Sequence, residues 1–135
     1  YFLFGRAEET ISTATKLRRE NRDWPNVYYL SGLAVEHALW AIRCKQAGLI
    51  EPDFQNCPGH QLDRIAKHAS LFEELEVRCK ASRLFSVNWK TVRDWDSNRR
   101  FKKVSQKDAV GLHLAVANPL QGIMPWLRSI FQTLQ

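Results

Sequence analysis

Five cations, Arg93, Arg99, Arg100, Lys102 and Lys103, fall within residues 93–103, and Trp89, Trp95 and Phe101 are interleaved with or flank them. Guanidinium forks match the geometry of phosphate oxygens, and indole faces offer flat surfaces on which bases stack. The chemistry this pattern suits is contact with RNA or a nucleotide. Asp94 and Asp96 neutralise part of the charge. A plainer reading stands beside it, in which the tryptophans anchor an irregular loop and the cations form its solvated face.

A second candidate lies upstream, in VYYLSGLAVEHALWAIRCKQAGL, residues 27–49, where Glu36 and His37 interrupt a nearly uncharged run. A carboxylate in such surroundings needs a cation or hydrogen-bond donors to stay ionised. The expectation is that Glu36 pairs with an arginine of RDWDSNRRF and braces that segment. His37 reads as a satisfied, partly buried imidazole. Cys57 and His60 have the spacing of one zinc half-site, but neither His68 nor Cys79 supplies a second paired motif, so no metal site is assigned. No cofactor is implied. The order Asp23, His60, Ser82 carries no nucleophilic chemistry, because no strained nucleophile turn accompanies it.

The elements that must position these residues have helical periodicity. Phe4, Ala7, Ile11 and Ala14 make one apolar face, which fades in RRENRDW. Pro25 suits the first turn of the next helix and Gly48 its end. That helix is apolar over most of its circumference and rich in small residues, as a helix surrounded by others must be. After the loop EPDFQNCPG a third helix begins near His60. Ser70 and Glu73 have capping-box spacing and open a fourth. The segment FSVNWKTVRDWDSNRRFKK reads as a short helix mixed with irregular chain. Ser105 and Asp108 open the last helical region, which Asn118-Pro119 should kink or split. The expected fold is all-α, an up-and-down bundle of about five helices forming one domain over residues 1–135.

The chain has 135 residues, enough for one core, and a net charge of +6 that favours polyanionic partners. Cys44, Cys57 and Cys79 are odd in number and irregular in spacing, which points to a reducing, cytoplasmic setting rather than a disulfide framework. The 19 uncharged residues between Asp108 and Arg128 include His113, Asn118, Pro119, Gln121 and Pro125, so a membrane span is not expected. Tyr1 rather than Met stands first, and the native start is expected upstream.

The run YYLSGLAVEHALWA resembles the second helix of HEPN domains, the nucleotide-binding helical bundles. His60 and Leu62 resemble the H-x-L of one branch of that family. Trp89 or Trp95 with Arg100-Phe101 resembles its W…RY, with Phe in place of Tyr. Many HEPN proteins are metal-independent ribonucleases whose signature is an Arg, four to six residues, and a His, completed across a homodimer. From Arg93 the corresponding window holds Asn98, Arg99 and Arg100, and Arg64 precedes His68 by only three intervening residues, so the signature is absent. The resemblance therefore implies a binding module without cleavage, a homodimer, and a nucleotidyltransferase-like partner protein in some members. Arg93, Arg99, Arg100, Lys102 and Lys103 would bind, with Glu36, His60, Trp89 and Trp95 in support. Two rivals remain. One is a diverged endoribonuclease of toxin–antitoxin or defence type, using His60 or His113. The other is a regulatory protein-interaction module.

Overall fold

The computed structural model describes residues 2–134; Tyr1, and with it the expectation of a start further upstream, and Gln135 lie outside them. The described residues are an all-α bundle. In chain order the helices are α1 (Phe2–Arg19), α2 (Trp24–Ala47), α3 (Leu62–His68), α4 (Phe72–Ala81), α5 (Arg83–Arg93), α6 (Gln106–Ala117) and α7 (Ile123–Thr133). Two 3₁₀ turns, Phe54–Asn56 and Ser97–Phe101, lie in the connections before α3 and before α6. No helix among the described residues is long and apolar enough to cross a membrane.

Seven α-helices replace the expected five or so, for two local reasons. The stretch read as a short helix mixed with irregular chain supplies most of α5, a separate helix of 11 residues that starts upstream at Arg83. Its N-cap is Ser82, whose hydroxyl accepts a hydrogen bond from the Phe85 N–H at 3.1 Å. Phe85, Trp89 and Val92 are its buried face, a helical spacing obscured in sequence by the exposed apolar Leu84 and Val87 beside them. At Asn118-Pro119 the chain breaks outright. The Asn118 side-chain oxygen accepts from the N–H groups of Leu120 and Gln121, building a polar turn between α6 and α7.

The ends of the other helices follow from particular residues. Pro25 occupies the first turn of α2, and Gly48 closes it in the left-handed region at φ 65°. Ser105 accepts from the Asp108 N–H at 3.1 Å and caps α6 as expected. The capping box expected at Ser70 does not form. Ser70 instead takes a left-handed φ of 58°, and the Leu71 N–H reaches back to the Ala66 carbonyl, which terminates α3.

Helix α2 is the centre. It packs against α1, α3, α6, α7 and the second 3₁₀ turn, so Val27, Ala34, Val35, Ala38, Leu39, Ala41 and Ile42 are all buried. Its small side chains let the neighbouring backbones come close, and the buried residues of all seven helices join in one hydrophobic cluster.

Candidate nucleic-acid interface

One ridge of α2, spaced four residues apart, organises the candidate site: Tyr28, Gly32, Glu36 and Trp40. Each receives one piece of the loops that flank it. Trp95 lies on Gly32, where a Cβ atom would collide with the indole ring, so glycine is the residue that admits it. The Asp96 N–H donates to the Tyr28 hydroxyl at 3.0 Å, and the Asp96 carboxylate accepts from the Asn98 N–H at 2.9 Å. These hydrogen bonds seat the 3₁₀ turn Ser97–Phe101 on the N-terminal half of α2.

The turn then presents its arginines to aromatic rings. The Arg99 guanidinium stands 4.8 Å from the Tyr28 ring centroid and pairs with Asp108 at 3.1 Å, which strengthens its protonated form. Arg100 lies close to two rings, 4.9 Å from the Tyr29 centroid and 4.5 Å from the Phe101 centroid. A guanidinium attracted to a ring face keeps its N–H edge open to an acceptor. Among the described residues no carboxylate pairs with Arg100, Lys102 or Lys103. All three side chains are exposed, and Val104 behind them is buried as an anchor.

The five cations of the 93–103 segment do not form one surface. Arg99 lines a cleft of about 470 Å³ with Tyr28, Thr91 and Asp108, and Arg100, Lys102 and Lys103 follow it in the chain. Arg93 lines a different groove, between α3, α4 and α5, and its nearest acid is Asp94 at 3.5 Å. The tryptophans are structural. Trp89 is 8% and Trp95 6% exposed, whereas Phe101, though in contact with Arg100, is 75% exposed, so of the three rings the phenylalanine is the one open to solvent. Sequence reasoning does not single out Tyr28 and Tyr29, which hold the two arginines. The one signal for them is their spacing of three to four residues from Gly32.

Glu36 does not meet an arginine. Its Oε1 lies 2.7 Å from His60 Nδ1, with the carboxylate side chain 10% and the imidazole 62% exposed. The reason is distance along the helix. Arg99 and Arg100 sit over Tyr28 and Tyr29, seven or eight residues earlier, which is about 11 Å of helix rise. Burial raises the Glu36 pKa, and the hydrogen bond and charge of His60 oppose that rise. His60 closes a polar cleft of about 350 Å³ shared with Gln61, Trp95, Asp96, Ser97 and Asn98. His37 is half-buried, its Nδ1 has no partner among the described residues, and burial with the nearby Arg6 charge lowers its pKa.

One turn further along the ridge, Trp40 contacts the rings of Phe54 and His68. Asp53 there accepts from Arg43 at 3.0 Å and Asn56 at 3.2 Å, and lies 3.1 Å from His68 Nε2. The Arg43 hydrogen bond is the main reason its carboxyl is held far below the usual carboxylate range. This cluster ties the 49–61 connection to α2 and α3. Cys57 is buried and His60 is directed to Glu36. No group of three or more His, Cys, Asp or Glu side chains among the described residues is placed to hold a metal ion. Compared with protein-family models, with curated proteins and with solved structures, the chain matches none.

Proposed function

We propose that this chain is a HEPN-like helical module that binds single-stranded RNA or a nucleotide without cleaving it. The observation that carries the reading is Arg100, which lies 4.9 Å from the Tyr29 ring and 4.5 Å from the Phe101 ring and, like Lys102 and Lys103 after it, has no carboxylate partner among the described residues. Phosphates meet the guanidinium edge and the ammonium groups, and a base stacks on the exposed Phe101 ring. Arg99 and Trp95 hold the turn in place. Missing from this surface is the Arg-to-His spacing of the ribonuclease signature, which is why binding rather than cleavage is proposed. Homodimerisation and pairing with a nucleotidyltransferase-like protein belong to the same reading.

The test is fluorescence anisotropy with a labelled single-stranded RNA and a labelled nucleotide at low salt. Changing Arg100 and Lys102 together to Ala should weaken binding by about tenfold or more, since removing each charge-assisted hydrogen bond costs about 1 kcal/mol. Equal affinity for wild type and variant would remove the proposed surface.

One observation favours a second reading, a diverged metal-independent endoribonuclease. Glu36 fixes Nδ1 of His60, so Nε2 is the ring nitrogen left for proton transfer in the cleft that also holds Asn98, the neighbour of Arg99. RNA cleavage that persists in EDTA and disappears in His60→Ala would replace the binding-only reading with this one.

A further inference from the structure

Helices α4 and α5 each direct an i, i+3, i+4, i+7 face at the other without closing on it. On α4 the face is Phe72, Leu75, Glu76 and Cys79; on α5 it is Ser86, Trp89, Lys90 and Arg93. With Asp63 and Lys67 of α3 they enclose a groove of about 340 Å³, within the size range of small-molecule sites. The opening has a local cause. Helix α3 has 7 residues and α4 has 10, and only Leu75 of α4 is buried. Leu75 and Trp89 form an apolar floor, Cys79 is half-buried beside them, and the Phe72 ring stands at the lip, 53% exposed.

The rim is polar and asymmetric. Lys90 and Arg93 stand one turn apart on the α5 wall, and Lys67 faces them from α3. Among the described residues neither lysine has a carboxylate partner, and Arg93 has only Asp94, at 3.5 Å. Asp63 and Glu76 also line the groove, so a polyanion would meet two repelling carboxylates. An apolar floor gives a small inorganic anion no replacement for its hydration shell. A ligand that satisfies both features has a compact apolar body and a single negative charge.

We propose that the α3–α4–α5 groove is a binding site for a small amphipathic monocarboxylate, of the medium-chain fatty-acid class, with its chain on Leu75, Trp89 and Phe72 and its carboxylate on Lys90 and Arg93. This site is separate from the RNA surface and does not depend on it.

Cys79 supplies the readout. Cys44 and Cys57 are buried, so Cys79 is the thiol that meets a small alkylating reagent first in the folded protein. The experiment follows iodoacetamide labelling of Cys79 by peptide mass, with circular dichroism confirming the fold, in decanoate, decanol or decyltrimethylammonium below their micelle concentrations. Decanoate should slow labelling by the factor one plus ligand concentration over Kd, about tenfold at ten times Kd. The two uncharged or cationic analogues should protect far less. Lys90→Glu, an exposed substitution, should abolish decanoate protection, read as the ratio of that variant's own labelling rates with and without decanoate. Absence of decanoate protection, or equal protection by all three amphiphiles, would overturn the proposal. Protection by an RNA oligonucleotide but not by decanoate would overturn it too and assign the groove to nucleic acid.

Discussion

Thr15 has one hydroxyl proton, donated to the Ile11 carbonyl at 2.8 Å, and the same oxygen lies 2.8 Å from His113 Nε2. The oxygen must therefore accept from Nε2–H, which leaves Nδ1 of this 3% exposed imidazole as a buried lone pair with no partner among the described residues. Burial, then the charges of Arg18 and Arg19, pushes the His113 pKa down to about 4. The sign follows directly. Below about pH 6.5 the unfolded histidine takes up a proton that the folded one refuses until about pH 4, so folding loses stability as pH falls through that window. The full loss is about 3 kcal/mol. Urea titrations at pH 7 and pH 4.5 should show this slope in the wild type and a flatter one in His113→Leu. Glu36, with its raised pKa, acts in the opposite direction below neutral pH, so the difference between the two proteins is the quantity to read. At this scale the sequence was half legible. That Glu36 needs a partner followed from its apolar surroundings, but His60 as that partner depended on the path of the 49–61 connection, which no periodicity encodes.

At the scale of elements, the ridge Tyr28–Gly32–Glu36–Trp40 makes α2 the template on which both irregular segments are laid. Gly32 carries the approach of the Trp95 ring. Alanine there would gain helix propensity of up to about 1 kcal/mol, yet its methyl group would enter the buried Trp95 ring, which is rigid and cannot swing aside. We expect Gly32→Ala to lower stability by about 2 kcal/mol and to weaken RNA binding, because the turn that carries Arg99 and Arg100 is displaced with the indole. Gly111, in the middle of α6, has open space where a Cβ would stand, and Gly111→Ala should raise stability by up to about 1 kcal/mol. Chemical denaturation of the two variants, read by tryptophan fluorescence, should give shifts of opposite sign. Helices α1 and α2 were legible because their apolar spacing and stops are unambiguous. Helix α5 was legible only as a short helix inside a mixed segment, because the exposed apolar Leu84 and Val87 blur the spacing of Phe85, Trp89 and Val92. Ser70 misled for a related reason: Ser-x-x-Glu fits a helix start, yet the short helix α3, which ends just before it, needed that serine in the left-handed region.

For the whole molecule, a net charge of +6 does not describe the field a ligand meets. Arg99 pairs with Asp108, Arg128 with Glu8 and Arg43 with Asp53, so these cations are locally compensated. Arg100, Lys102 and Lys103 have no carboxylate partner among the described residues, and they are consecutive or nearly so in the chain. A focused cluster and a diffuse basic surface predict different salt responses. Three phosphate contacts to a single strand should give a log–log slope of affinity against salt of about −2, which weakens binding roughly twentyfold between about 50 and 200 mM. Removing Arg100 and Lys102 should flatten the slope to about −0.7, since one phosphate contact is left. A diffuse surface gives a slope that two substitutions barely alter, because the remaining cations release the same counterions. Binding isotherms for wild type and the double variant across that salt range separate the cases. A variant slope equal to that of the wild type would mean that RNA is drawn to the overall charge of the bundle and not to the turn seated on α2.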